Sequence, residues 1–475
     1  MNYKKLFLCS ILSLSFLLYA EEKIEDLLNG FYKNNLDLLE LSNQVENQIL
    51  QTQADKISNG FSVKLETGQV NVNFDESVNI SLSPSLTFAV PQADNLSLKL
   101  SSDIDFDKTA SFTNNSISLQ SDLYSDFLDN RKITLEKSSR KLLELQRKLQ
   151  DGFVSAESEF YTQLKSIYEL ASQVVTAEKK LYEDKIDFEK KKAQGYGSSS
   201  STYRMAQMEL YSSEHDYEVI QHKLESQLKI FAAKCGKEYI TNINEFLPAH
   251  IVEVKPVSVF DYEKENFKSY ESASYTAYIN EKIRKADKTV NVTGSIGYTF
   301  NSGDLLNSQS SSSDTVDLGT SFSVKNSFLK ANAGVSIPVD GSSPVARFGL
   351  SLDPNAFRLG KISDRQKALE EKNEQLAIEQ ALSDYETTVI SQESKLEDLK
   401  FNKSKIEETL SLYTELEKEM KNSFERGYIS ESEYKSYVVN KEKYTIEKII
   451  NQIDFIIYNN STKLYFVRDS ERKND

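Results

Sequence analysis

Residues 117–132, ISLQSDLYSDFLDNRK, decide how this chain folds, because an alternating segment gives way here to a long charged one. Residues 347–361, RFGLSLDPNAFRLGK, repeat the same change, and Leu119 and Leu350 lie 231 positions apart. The two charged segments end at Gly195 and Gly427, which are 232 positions apart. A repeat of this length predicts two copies of one structural unit rather than a solenoid of short repeats.

Each charged segment follows a block, residues about 60–122 and about 288–353, in which charges are sparse and apolar residues alternate with polar ones. The alternating apolar positions include Val78, Ile80, Leu82, Leu86, Phe88, Val90, Leu96, Leu98 and Leu100, and later Phe348, Leu350 and Leu352. A period of two predicts β-strands that have one apolar and one polar face. Residues 315–339 are expected to form an additional hairpin, which the family resemblance given below would place outside the membrane.

The charged segments have the period of an α-helix, since apolar residues step by threes and fours from Leu142 to Val174. We expect helices over 22–57, 123–194, 202–233, 261–286, 361–425 and 431–466. At about 1.5 Å per residue, the helix over 123–194 would be roughly 105 Å long. Helices of this length need partners that bury their apolar stripes.

Residues 1–20 have the pattern of a cleavable signal peptide, with Lys4 and Lys5 before an apolar core that ends at Ala20. This pattern predicts export. We divide the rest into a first repeat (21–235), a linker (236–257), a second repeat (258–466) and a polar tail (467–475). Cys235 is the one cysteine left after cleavage, so no disulfide can form within the chain.

The composition argues against several classes of function. A formal net charge of −15 would repel nucleic acid. His215, His222 and His250 have no cysteine or carboxylate cluster that would complete a metal site. We find no phosphate loop and no nucleophile–base arrangement. We therefore expect no enzyme, no cofactor, no metal and no nucleic-acid partner.

Two-faced strands in an exported chain without a later apolar run of about 18 residues fit an outer-membrane barrel. A sheet in a bilayer must close, because an open edge leaves backbone polar groups in lipid. One chain provides too few strands for a wide barrel. Several copies would therefore have to pool their strands.

The order of these features resembles the TolC family of outer-membrane efflux ducts over almost all of the chain after residue 20. Residues 34–38 (NNLDL) are similar to the family's first helix, and 126–132 and 357–361 resemble its strand-to-helix junctions. The turn with Gly427, Ser430, Glu433 and Tyr434 resembles the tip of its helical hairpins. The resemblance implies a mostly α fold with β-strands: a homotrimer whose twelve-stranded transmembrane β-barrel continues into a twelve-helix periplasmic tunnel.

The resemblance also implies two sets of site residues. The periplasmic gate would contain Glu433, Ser436, Ile429, Phe424 and Ser201. A periplasmic adaptor (membrane fusion) protein would dock at Gly195, Tyr196, Gly427 and Tyr428. Three copies of Glu433 would form an acidic ring whose mutual repulsion raises their pKa values; alternatively, Glu433 is an ordinary acid in the first turn of a helix.

The gate departs from the family pattern. Ser436 replaces a second acid, Ile429 replaces a basic residue, and Ser201 or Thr202 replaces the acid that would pair with it. The family's salt-bridge lock therefore cannot form. We expect closure to depend on apolar contacts of Phe424 and Ile429.

We interpret the chain as the exit duct of a tripartite efflux pump or a type I secretion system. It would cross the outer membrane and the periplasm and meet, through the adaptor, an inner-membrane pump or ABC ATPase. The alternative is an exported coiled-coil structural protein that transports nothing, such as an adaptor or adhesin.

Overall fold

A computed structural model describes residues 19–68, 70–74, 78–106, 110–238, 251–288, 290–300, 314–324 and 328–468. Several sequence features lie outside these residues. They are the expected signal peptide up to residue 18, the linker residues 239–250 with His250, a serine run at 308–313 and the tail from 469.

The described helices are α1 (Tyr19–Asn34), α2 (Leu36–Ser58), α3 (Phe127–Ala193), α4 (Ser201–Lys234), α5 (Lys268–Ala286), α6 (Pro354–Glu425) and α7 (Glu431–Tyr465). The single helix expected over 22–57 is thus two helices, α1 and α2. The side chain of Asn35 accepts hydrogen bonds from the backbone N–H groups of Asp37 (3.0 Å) and Leu38 (3.2 Å). Asn35 therefore caps the start of α2 and separates it from α1.

Other helix boundaries also differ from the expectation, for local reasons. α3 begins at Phe127 rather than 123, because Tyr124 still belongs to the preceding strand. α6 begins at Pro354, where the fixed φ of proline suits a first helical turn. Short 3-10 turns at Val259–Asp261 and Lys264–Asn266 stand where the first turns of the helix over 261–286 were expected.

The described strands are β1 (Ser62–Glu66), β2 (Val70–Phe74), β3 (Val78–Leu82), β4 (Ser85–Val90), β5 (Leu96–Phe106), β6 (Ala110–Tyr124), β7 (Val290–Phe300), β8 (Thr315–Val324), β9 (Leu329–Pro338) and β10 (Val345–Leu352). They form one antiparallel sheet in the order β1-β4-β5-β6-β7-β8-β9-β10, in which β2 pairs with β3 and β3 also pairs with β5. The two β blocks meet where β6 pairs with β7. The hairpin expected over 315–339 is β8–β9, and it continues the same sheet.

The chain divides into two compact units. The first contains Met1–Asn43, Arg147–Lys268 and Ser383–Asp475, and its described part is helical. The second contains Gln44–Gln146 and Ser269–Leu382, and it holds all the described strands.

The core of the first unit is an apolar cluster between α1, α3, α4 and α7. Phe160, Leu164 and Ile167 of α3 are almost completely buried with Phe231 and Ile453. These α3 residues belong to the stripe that the helical period predicted. One member of that stripe, Phe153, is instead 39% exposed, and its ring meets Tyr32 of α1 edge-on at 5.4 Å between ring centroids.

Ion pairs rather than a large apolar core connect the helices of the second unit. Arg140 of α3 forms a bidentate pair with Glu271 of α5, and its guanidinium carbon lies 4.3 Å from the ring centroid of Tyr275. Arg284 of α5 forms a second bidentate pair with Glu374 of α6, with both N–O distances 2.9 Å. Planar guanidinium groups suit this geometry and fix the relative register of neighbouring helices.

Candidate functional site

The turn between α6 and α7, which we call the second tip, is built around Gly427. Its φ of +74° is a left-handed conformation that favours glycine. The N–H of Gly427 donates to the carbonyl of Phe424 (2.9 Å), and the N–H of Tyr428 donates to the carbonyl of Ser423 (2.8 Å). These bonds satisfy the last carbonyls of α6 in the manner of a glycine C-cap. The backbone conformation, rather than crowding, therefore requires glycine here.

Glu433, the expected gate acid, has a local partner in the described chain. Its carboxylate accepts hydrogen bonds from the backbone N–H (2.8 Å) and the hydroxyl (2.9 Å) of Ser430, whose hydroxyl oxygen in turn accepts from the N–H of Glu433 (3.2 Å). This is a capping box at the start of α7. The backbone and side-chain bonds from Ser430 lower the pKa of Glu433. Within one chain, Glu433 therefore acts as a first-turn acid.

Three other expected gate residues, Phe424, Ile429 and Ser436, lie around the same turn. Phe424 stacks on Tyr434 with ring centroids 4.9 Å apart and an angle of 5° between the planes. Ile429 and Ser436 are half-buried. Phe424 is half-buried, and its stacking contact is made within its own hairpin. Tyr428 is 75% exposed, so its ring is open to solvent at the end of the turn.

The turn between α3 and α4, the first tip, ends its helix in the same way but is longer. The N–H of Gly195 (φ +81°) donates to the carbonyl of Lys192, and the N–H of Tyr196 donates to that of Lys191. The next helix is capped by Ser200, whose hydroxyl accepts from the N–H of Tyr203 at 3.2 Å. Ser201, an expected gate residue, is the first residue of α4 and is exposed. The cap therefore follows the glycine by five positions here and by three in the second tip.

Residues that no sequence pattern predicted connect α7 to α3 near the second tip. Lys435 pairs with Glu178 at 3.4 Å, and its ammonium lies 4.1 Å from the ring centroid of Tyr182. Tyr182 also hydrogen-bonds to Glu431. The two residues of α7 lie more than 240 positions from the two residues of α3, so no short-range pattern could reveal this contact. It holds the start of α7 against α3.

The second candidate site is the sheet, whose pairing register separates apolar from charged side chains. Residues that pair across antiparallel strands share a face. One row crosses eight strands and reads Val63, Phe88, Leu98, Leu119, Ile296, Leu318, Val335 and Ala346. A parallel row reads Leu65, Leu86, Leu100, Ile117, Tyr298, Val316 and Ile337. We call this side the apolar face.

The opposite side, the polar face, carries the charges. Its rows contain Lys64, Glu66, Lys99, Asp103, Asp105, Asp122, Asp317, Lys330 and Arg347, besides many serines and threonines. Among the described strand residues, no charged side chain shares the apolar face. Yet this face is open to solvent in one chain: Leu119 is 41% exposed, Ile296 56% and Phe348 81%. A soluble protein rarely exposes so extended an apolar surface, so this face marks an interaction site.

Other kinds of site have little support in the residues that the structure describes. His215 and His222 are exposed on α4, and no group of three or more His, Cys, Asp or Glu among those residues is arranged to hold a metal ion. None of the described helices combines the length and the apolar content needed to cross a membrane.

Two family models match the chain in sequence. The model described as the TP096X N-terminal domain matches residues 27–251, and the model described as the TP096X C-terminal domain matches residues 252–469. Curated proteins provide no match.

Solved structures match over nearly the full length. The outer membrane protein VceC from Vibrio cholerae has a TM-score of 0.50 at 12% identity, with 94% of this chain and 96% of that chain covered. The outer-membrane channel OprN has a TM-score of 0.49 at 14% identity (92% and 89% covered), and the Campylobacter jejuni CmeC outer membrane channel has 0.43 at 13% (94% and 87% covered). The match to VceC confirms the expected fold class, with long helices and antiparallel strands as in TolC-like channels.

Proposed function

The chain belongs to the TP096X family, and from this premise and its fold we propose that it is a passive outer-membrane exit duct that works as a homotrimer. It would serve a tripartite efflux pump or a type I secretion system and extend from the outer membrane into the periplasm. Transport would need a bore, a gate and docking surfaces but no catalytic group.

The apolar face of the sheet carries this proposal. If three copies join their sheets edge to edge, the charge-free side can face the acyl chains while the side with Lys99, Asp103 and Asp317 faces a water-filled bore. This is the alternation of a transmembrane barrel. Closure would also satisfy the backbone groups at the sheet edges, which lipid cannot. A soluble adaptor or adhesin, the alternative function, gains nothing from an exposed face on which the described strands place no charge.

Exposed apolar residues on α6 support assembly from several copies. Ile362, Leu369, Leu376 and Ile390 are each more than half exposed and lie at multiples of seven positions. A heptad spacing places them on one stripe, which needs a facing helix to be buried. Helices of neighbouring copies would cover this stripe in a tunnel of α-helices.

The two tips are the proposed docking site for a periplasmic adaptor protein, and through it for an inner-membrane pump or ABC ATPase. Gly195 and Gly427 have open space where a Cβ would lie, and the rings of Tyr196 and Tyr428 are exposed. We expect Gly195→Leu and Gly427→Leu to abolish co-purification with the adaptor while the trimer persists. Intact co-purification would refute docking at the tips.

The residues around the second tip are the proposed gate, with Glu433 at the entrance. A carboxylate bound to Ser430 stays ionised at neutral pH, so three copies around one axis would attract cations. We expect Glu433→Ala to lower the preference for cations in planar bilayers, whereas Glu433→Asp keeps the charge and should retain it. An unchanged reversal potential in Glu433→Ala would reject the ring.

The duct itself is tested by reconstitution of the purified, processed protein. We expect it to fractionate with the outer membrane, to resist heat in detergent as a trimer, and to conduct ions in planar bilayers. Recovery as a water-soluble single copy without affinity for lipid would overturn the proposal and favour the non-transporting alternative.

A further inference from the structure

We propose that each copy contributes eight membrane-spanning strands to the barrel, not the four that the TolC resemblance implies. The seam between copies would then join β1 of one chain to β10 of the next. This inference rests on the proposed duct and concerns which parts of the sheet lie in lipid. It differs from the expectation that the β8–β9 hairpin lies outside the membrane.

The strands have the length that a bilayer requires. β5, β7, β8 and β9 contain 10 or 11 residues and β6 contains 15, while a spanning strand needs about 9–11. β10 follows with 8 residues. The resemblance would place only some of these in the membrane, yet five of the six have the required length and β10 is about one residue short of it.

The short strands β1 to β4 form two further segments, each long enough to span the membrane. β1 and β2 lie on residues 62–74, β3 and β4 lie on residues 78–90, and the two runs pair with each other through β1–β4 and β2–β3. The interruption is at Gly68, whose φ is +66° and whose added Cβ would lie 2.0 Å from the carbonyl oxygen of Ser83. Glycine lets the two segments approach closely there, so they bend without separating from each other.

The apolar face is as complete at the edges of the sheet as at its centre. The row through Leu119 and Ile296 ends in Val63 of β1 and Ala346 of β10. At the edges, Leu65 and Phe348 on this face are even more exposed than Leu119. Strands outside the membrane would be surrounded by water and would not need to keep charges off one face. Acyl chains are therefore the occupant that fits the face along its full width.

The topology also allows closure. In an antiparallel path of eight strands the first and the last run in opposite directions, so β10 of one copy can pair antiparallel with β1 of the next. In the described chain the outer edges of β1 and β10 have no strand neighbour. Three copies would give about 24 strands, an even number within the range of about 8–26 seen for bacterial barrels.

The absence of tryptophan from the sequence allows a direct test, because a single introduced Trp is the only indole in the protein. The probes are Leu65→Trp in β1, Phe348→Trp in β10 and Ile296→Trp in the centre, with Ser351→Trp on the polar face as a control. Each variant that forms the heat-resistant trimer is reconstituted in vesicles with acyl chains brominated at several depths. We expect the three apolar-face probes to lose fluorescence alike, and the control to respond instead to aqueous acrylamide.

The outcomes separate this inference from the proposed function. Quenching of Ile296→Trp without quenching of either edge probe would overturn the eight-strand barrel and leave the duct intact. No quenching of Ile296→Trp would overturn the duct as well. As a second measurement, Lys64→Cys combined with Val345→Cys, Arg347→Cys or Ser351→Cys should give covalent trimers on oxidation for at least one pair. Failure of all three pairs, with the trimer intact, would refute the β1–β10 seam.

Discussion

A charge placed on the apolar face should prevent membrane assembly, whereas the same charge one residue further along should be tolerated. We choose Leu119→Arg on β6, because both of its cross-strand neighbours, Leu98 and Ile296, are apolar. The matched control is Gln120→Arg, whose neighbours are Ser97 and Ser295 on the polar face. Both variants add one positive charge to the same strand.

The expected difference is large. An arginine near the middle of the bilayer costs about 2–4 kcal/mol on the lipid side of a barrel, and little on the water side. A trimer contains the substitution three times, so Leu119→Arg loses about 6–12 kcal/mol, which is comparable to the whole stability of a typical domain. We expect Gln120→Arg to change the free energy of unfolding by less than about 1 kcal/mol.

The assay is refolding into vesicles, followed by urea titration and by the heat-modifiable shift of the trimer on gels. Leu119→Arg should give no folded band, and Gln120→Arg should give a wild-type midpoint. Equal stability of the two variants would refute the assignment of Leu119 to lipid. Equal loss would show that the sheet tolerates added charge on neither face, which contradicts a water-filled bore.

Three further predictions concern the helical parts. Gly427→Ala should lower stability by about 1–2 kcal/mol in thermal unfolding, because alanine is strained at a left-handed φ, while Gly197→Ala, where φ is not positive, should be nearly neutral. The pKa of Glu433 is lowered in the folded chain, so its contribution to stability is present above its unfolded pKa and is lost as the pH falls through the lower folded value; Glu433→Gln should remove that acid-dependent part of the melting temperature. Burial raises the pKa of the Cys235 thiol to about 12, so a maleimide at pH 8 should label Cys235 in urea but not in the folded protein, and fast labelling of the folded protein would contradict its burial.

The faces of the strands could be predicted from sequence, but their neighbours could not. Alternation places Leu96, Leu98 and Leu100 on one side regardless of what they pair with. The pairing of Leu119 with Ile296 joins two blocks that lie far apart in the chain, and nothing local to either residue specifies the other. The continuity of the apolar row across eight strands is therefore visible only in the folded chain.

The two tips also show which features could be predicted from the sequence and which could not. Gly195 and Gly427 could be predicted as helix ends, because a turn residue with a positive φ is usually glycine. In the sequence, Ser430 followed by Glu433 fits a capping box, and it fits equally well a gate acid at the start of a helix. Only the observed hydrogen bonds identify the capping box. Asn35 lies in the segment that resembles the family's first helix, and the preference of asparagine for helix caps would have been enough to predict a break there.

The two-residue difference between the tips means that the internal duplication is not a true symmetry. Gly195 and Gly427 stop their helices with the same bonds, but the chain travels further before Ser200 than before Ser430. A docking protein with two identical binding modules would therefore find one long loop and one short loop, and would bind them with unequal strength. Lengthening the short loop by two residues would make the two loops alike, and any difference in binding strength between them should then disappear.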